Sequence, residues 1–174
     1  MSMNYKLEIS TKIDGVYEIS PDAFSDLRGD IWTSFHPSYL SGIFDNYLTF
    51  HHDKFVKNKR DVLRGLHGDS KTYKLVSCPI GDVLQVALDV RKSSGTFGEF
   101  HMTSLTEDNR KMMLLPPGVA NGFLVNSELA LYHYKLAYYG EYTDSEDQFT
   151  VKFDDPRFKI PWPERNFILS DRDR

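Results

Sequence analysis

From Val83 to Val90 the chain alternates strictly. Leu84, Val86, Leu88 and Val90 share one side, and Val83, Gln85, Ala87 and Asp89 the other. A two-residue period is the signature of a β-strand, because successive side chains leave a pleated backbone on opposite faces. Gly81-Asp82 opens this run. The segment Leu129 to Ala137 alternates less cleanly and is rich in tyrosine, and Lys111 to Leu115 is apolar and stops at the turn signal Pro116-Pro117-Gly118. Helical spacing is confined to Pro37–Phe44 and Ser104–Arg110, where one or two short helices are expected. Many short strands punctuated by Gly, Pro and Asp predict an all-β fold, a sandwich or barrel. A jelly roll, a double-sheet β-barrel, fits best, with residues 1–174 as a single domain and a usable interior at its mouth.

Composition narrows the partners. The 174 residues carry 21 Lys and Arg against 25 Asp and Glu, a net charge of -4. The field of the whole molecule therefore does not attract nucleic acid, and any anionic ligand needs a local cluster of cations. The lone Cys78 excludes an intrachain disulfide framework and reads as a small strand residue in a reducing compartment. No apolar run approaches membrane-spanning length, and the N-terminal residues lack the apolar segment of a signal peptide. A cytoplasmic protein without membrane partners is expected.

The chemistry concentrates at Arg64-Gly65-Leu66-His67 and the following Lys74-Leu75-Val76. Histidine exchanges protons near neutrality. Arginine offers a planar fork to phosphate or carboxylate. A lysine beside them can stabilise negative charge that develops during reaction. Together they point to proton abstraction from an anionic substrate. Strict alternation places Arg64 and His67 on opposite faces, and Gly65 is the candidate bulge that would bring both into one site. In a barrel, His67, Lys74, Gln85 and Tyr134 can all point inward from different strands. No metal is expected: His36, His51, His52, His67, His101 and His133 include no His-x-His pair, and adjacent His51 and His52 face opposite ways in a strand.

These residues sit in an ordered series of blocks. Phe24-Ser25-Asp26-Leu27-Arg28-Gly29 resembles F-x-D-x-R-G. Then come Val62-Leu63-Arg64-Gly65-Leu66-His67, Lys74-Leu75-Val76, Gly81 to Arg91 and Ser94-Gly95-Thr96-Phe97-Gly98. Pro117-Gly118-Val119-Ala120-Asn121-Gly122-Phe123 resembles P-x-G-F-A-H-G-F, and Tyr134-Lys135 and Leu169-Ser170-Asp171-Arg172-Asp173 complete the series. Over nearly its whole length the chain resembles the nucleotide-sugar 3,5-epimerases typified by dTDP-4-dehydrorhamnose 3,5-epimerase.

The resemblance implies a metal-free, cofactor-independent jelly-roll homodimer of the cupin type. It implies His67 as general base, Asp173 as the group that orients His67, and Tyr134 as proton donor on the other sugar face. It places Arg64 and Lys74 beside the substrate, with Arg28 on the nucleotide portion, often across the dimer interface. The implied reaction removes a proton at C3 or C5 of a 4-keto sugar, passes through an enolate, and returns a proton to the opposite face.

The chain also departs from the family pattern. Asn121 and Gln85 stand where histidine and aspartate are usual, so a coupled His-Asp pair is expected to have become an Asn-Gln pair that bonds internally and to a substrate oxygen. His52 and Lys54 replace a glutamine and an asparagine near the nucleotide, and Gly68-Asp69 replaces a larger pair after R-G-L-H. These changes keep two substrates open, a dTDP-4-keto-6-deoxyhexose and a GDP-4-keto-heptose of capsule- or O-antigen-type synthesis, and leave open inversion of C3 alone. A 3,4-ketoisomerase and an inactive sugar-binding cupin are the alternatives.

Overall fold

The computed structural model describes residues 5–9, 12–40, 43 and 49–174. In chain order the strands are β1 (Tyr5–Ile9), β2 (Tyr17–Pro21), β3 (Ala23–Asp26), β4 (Gly29–Trp32), β5 (Phe50–Lys59), β6 (Leu63–Gly68) and β7 (Tyr73–Ile80). They continue as β8 (Asp82–Asp89), β9 (Phe100–Thr106), β10 (Met112–Leu115), β11 (Val119–Val125), β12 (Leu129–Ala137) and β13 (Phe149–Thr150). Six strands pair antiparallel in the order β1-β2-β10-β7-β12-β5, and five in the order β13-β6-β11-β8-β9, while β3 and β4 form a separate hairpin. The two sheets face each other as the expected double-sheet jelly roll.

Single 3₁₀ turns at Pro37–Leu40 and Ser145–Asp147 are the helical elements among the described residues. The expected helix from Pro37 is thus one turn, and its end at Phe44 lies outside the described residues. Ser104–Arg110 is not helical. It ends β9 and turns, because the Asn109 side chain accepts from the Thr106 and Lys111 amides and donates to the Ser104 carbonyl. That short polar side chain supplies the bonds a helical turn would have made. No helix of the described residues is long and apolar enough to cross a membrane.

The Val83–Val90 run forms β8, yet its more polar side faces the space between the sheets. Val83 and Ala87 join Val76, Met113, Phe123 and Tyr132 in the inter-sheet core. The all-aliphatic side, with Val86 and Leu88, faces outward and is covered by Phe149, Val151, Phe158, Ile160 and Trp162 of the C-terminal segment. Burying both faces of the sheet removes apolar area from water on each side. Cys78 lies in the inter-sheet core, where burial pushes its thiol up to about 12, as befits a packing residue.

Asp89, at the end of β8, is fully buried. It accepts from the Arg91 guanidinium at 2.7 and 2.9 Å, Ser94 at 2.6 Å and Thr96 at 2.7 Å. Burial works to raise this carboxyl, but the donors outweigh it and hold the pKa well below the ordinary value. The Ser94–Gly98 block is therefore a structural knot.

Candidate active site

A cavity of about 260 Å³ opens between the sheets. Its walls come from β5, β6, β7, β11 and β12, from the loop around Tyr142 to Gln148, and from the C-terminal residues Ser170, Arg172 and Asp173.

On β6 the ladder to β11 slips. His67 is opposite Asn121, and Arg64 is opposite Phe123, so β6 holds one extra residue. That bulge brings Arg64 and His67 to the same cavity, despite their spacing. Gly65 permits it, with φ +103 and a close backbone beside it. A Cβ there would lie 2.5 Å from the Asn121 carbonyl oxygen and 2.7 Å from the Gly122 Cα.

His67 Nε2 stands 2.7 Å from Asp173 Oδ1, at ion-pair distance but without the alignment of a hydrogen bond. Asp173 is 2% exposed although it is the penultimate residue. The tail that carries it is anchored at several points. Ile168 exchanges backbone bonds with Asp61 and Leu63 at 2.8 and 3.1 Å. The Arg172 side chain donates to Thr150 at 3.0 Å and to the Gln148 carbonyl at 3.3 Å. Ser170 donates to Asp173 Oδ2 at 2.7 Å. Burial acts to raise the Asp173 carboxyl, and contacts with His67, Ser170 and the Gly65 amide reverse this, leaving it below its ordinary value.

Lys74, on β7, is buried, with Nζ 3.3 Å from the His67 carbonyl and 4.0 Å from Asp69 Oδ2. Desolvation pushes its pKa down to about 8, Asp69 opposes that, and the cations of Arg172 and Lys54 add to it. Asp69 is buried too. Its Oδ1 accepts from the Lys71 and Thr72 amides at 3.0 and 2.7 Å, while Oδ2 has no hydrogen-bond donor among the described residues.

Tyr134 reaches the cavity from β12, in the opposite sheet to His67. Burial raises its pKa well above that of an ordinary phenol, although Arg64 and Asn121 act to lower it. The hydroxyl thus stays protonated across the neutral range.

Lys54, Arg64, Lys74 and Arg172 line the cavity against the carboxylates of Asp144 and Asp173. This is the local cationic cluster that a chain of net charge -4 needs to hold an anion. Arg64 is held by Asn58 at 2.7 Å, and Lys54 donates to the Tyr142 hydroxyl at 2.9 Å.

Of the sequence-derived candidates, His67, Tyr134, Asp173, Arg64, Lys74, Asn121 and Lys54 line this cavity. Gln85 does not. It is fully buried behind Asn121, donating to its Oδ1 at 2.7 Å, so the Asn-Gln pair forms but only Asn121 reaches the cavity. His52 lies beside the lining, stacked edge-on against Tyr142 with centroids 4.7 Å apart. Arg28 is on the β3–β4 hairpin, its side chain 89% exposed and paired with Asp26, away from the cavity. Sequence reasoning passed over Asp69, Asn58, Tyr142 and Arg172. Arg172 stands within the terminal block and was legible there, whereas the others have neighbours only in the folded chain.

A larger cavity of about 370 Å³ lies on the outer side of the six-stranded sheet, below the hairpin. Its basic groups have partners: Arg110 pairs with Asp30, Lys111 with Glu18, and His133 lies against Asp53. The reactive groups therefore belong to the smaller cavity. Among the described residues no three His, Cys, Asp or Glu side chains are grouped as metal ligands.

The family model for dTDP-4-dehydrorhamnose 3,5-epimerase matches residues 10–174. The chain belongs to this family. It is thus an isomerase-class enzyme. It is 36% identical over 169 residues to the dTDP-4-dehydrorhamnose 3,5-epimerase of Escherichia coli K12, covering 95% of this chain and 90% of that protein. A dTDP-4-dehydrorhamnose 3-epimerase of Streptomyces niveus is 30% identical over 168 residues, 93% of this chain and 78% of its own length. The crystal structure of a dTDP-6-deoxy-D-glucose-3,5-epimerase from Legionella pneumophila, in complex with dTDP-4-keto-L-rhamnose, matches with a TM-score of 0.89. Identity there is 32%, with 98% of this chain and 90% of that one covered.

Proposed function

We propose that the chain inverts C3 and C5 of a dTDP-4-keto-6-deoxyhexose. The observation that carries this reading is the placement of His67 and Tyr134 on facing sheets of one cavity, so that a sugar between them meets a base on one side and an acid on the other.

His67 takes a proton from C3 or C5. Its Nε2 lies 2.7 Å from Asp173 Oδ1, which leaves Nδ1 to accept the proton and lets the carboxylate stabilise the imidazolium that forms. The C–H electron pair becomes the enolate C=C bond, and negative charge moves onto the C4 oxygen. Lys74 stabilises that oxygen, an effect worth roughly 3 kcal/mol for one well-placed group. Tyr134 then protonates the same carbon from the other side and the C4 carbonyl re-forms. Arg64, Arg172 and Lys54 hold the diphosphate. Arg28 has no place in the cavity of one chain, and its role on the nucleotide rests on a second copy bringing the hairpin over it.

The dTDP nucleotide is supported by the family model and by the names of the relatives described above, none of which is named for a GDP-linked heptose. A second reading, inversion at C3 alone, is favoured by the neutral Asn121–Gln85 pair and by the likeness to the 3-epimerase.

Incubation with a dTDP-4-keto-6-deoxyhexose in deuterated water separates these readings. Deuterium and inversion at both carbons support the first, and at C3 alone the second. No incorporation at either carbon from this substrate overturns both, and a keto group moved to C3 points to a ketoisomerase.

A further inference from the structure

Behind Asn121 lies a chain of hydrogen bonds that the proposed chemistry leaves unused. Tyr132 is fully buried on β12, its ring stacked on Phe123 at 3.9 Å between centroids. Its hydroxyl donates to Gln85 Oε1 at 2.5 Å. Gln85 Nε2 donates to the Val86 carbonyl at 3.0 Å and to Asn121 Oδ1 at 2.7 Å. The Tyr132 hydroxyl also approaches Asn121 Oδ1 at 3.4 Å.

These bonds determine which way each amide faces. The Val86 carbonyl only accepts, so the Gln85 atom beside it is the nitrogen. That nitrogen donates to Asn121, so the Asn121 atom it meets is the oxygen. The Asn121 amino group is then the end left to face the cavity that Asn121 shares with Tyr134, whose ring packs edge-on against Tyr132 with centroids 4.8 Å apart. A phenol oxygen that accepts from Asn121 keeps its own proton for another partner, and Tyr134 lines the cavity.

We propose that Tyr132, Gln85 and Asn121 form a rigid positioning chain that aims the Tyr134 proton into the cavity and stabilises the phenolate left when that proton is given. The inference rests on the reading of Tyr134 as proton donor. In that step the Tyr134 O–H bond breaks, the proton joins the enolate carbon, and the oxygen becomes negative. The N–H bond from Asn121 becomes charge-assisted at that moment and strengthens. It therefore favours the transition state over the ground state. Neither amide carries a titratable proton, so Asn121 and Gln85 support donation without being acids themselves.

A base-side defect and an acid-side defect leave different isotopic records. In deuterated water, His67 alone exchanges a substrate proton and returns deuterium to the same face, whereas inversion requires Tyr134. Two variants test the chain: Tyr132→Phe, which deletes one oxygen and keeps the ring stack, and Gln85→Met, which removes all three hydrogen bonds of the Gln85 side chain. Tyr132→Phe keeps the question answerable if Gln85→Met does not fold. The ratio of exchange with retention to inversion is expected to rise about tenfold in each, with KM within about twofold of the unsubstituted protein. Exchange and inversion falling in parallel, or neither changing, overturns the positioning role. Absence of exchange in the unsubstituted protein overturns the proposed function, and this inference with it.

Discussion

Asp173 Oδ1 lies 2.7 Å from His67 Nε2, although the two residues come from the tail and the early part of the chain. The contact depends on backbone bonds between Ile168 and the start of β6, which carry the tail to the cavity wall. Asp173→Asn keeps the shape and removes the charge proposed to stabilise the imidazolium. Turnover is expected to fall by about 100-fold or more, with thermal stability nearly unchanged. Steady-state kinetics beside a melting curve check this, and unchanged turnover removes Asp173 from the mechanism.

Tyr134→Phe leaves the base side intact. Inversion is expected to drop by roughly 10²- to 10⁴-fold. Deuterium should still enter recovered starting sugar through His67, as read by NMR in deuterated water. Loss of exchange together with inversion contradicts the assignment of Tyr134 to the acid side alone.

On the proposed mechanism, Lys74 sets the alkaline limit. Its pKa in the fold is pushed down to about 8 from 10.5, so the protonated form that stabilises the enolate is lost as pH rises through about 8. The same shift has the opposite sign for stability. Between those two values the unfolded chain binds more protons, so this group's contribution to stability increases with pH. Asp69 acts to raise the Lys74 pKa. Asp69→Asn should therefore move the alkaline limb of kcat to lower pH, and Lys74→Met should remove the limb along with most activity. A limb that does not move in Asp69→Asn disconnects this carboxylate from Lys74.

Gly65→Ala places a methyl group against the β11 backbone, 2.5 Å from the Asn121 carbonyl oxygen, at a φ of +103. We expect a loss of roughly 2–4 kcal/mol in urea unfolding and loss of activity, because the bulge that brings Arg64 and His67 together must shift. Native stability and activity in this variant exclude the bulge as the device that aligns the two side chains.

Asp89 ties β8 to the following loop. Its folded pKa lies below the unfolded 3.8, so its stabilisation is complete above 3.8 and fades as pH falls toward the folded value. Asp89→Asn should cost roughly 3 kcal/mol at pH 7 and flatten the loss of stability on acidification. Denaturant titrations at pH 7 and pH 3 measure both effects.

Much of the fold was legible because strand periodicity survives in local sequence. Val83–Val90 alternates, and β8 follows. The direction of its faces was less evident, since the aliphatic face that looks like core is covered by residues 149–162, and the face with Gln85 and Asp89 looks between the sheets. Ser104–Arg110 showed helical spacing, yet three bonds from Asn109 turn it into the end of β9.

The site divides along the same line. The amino-acid order alone offered His67 and Lys74 as candidates for proton transfer, because side-chain chemistry belongs to each residue wherever it lies, and the family resemblance added Tyr134 and Asp173. The order also supplied the family blocks and pointed to Gly65 as a bulge. Tertiary structure decided which groups meet. It buried Gln85 behind Asn121, sank Lys74 beside Asp69 and lowered its pKa, and left Arg28 on an exposed hairpin. Distances and desolvation depend on contacts between strands far apart in the chain, and local sequence does not contain them.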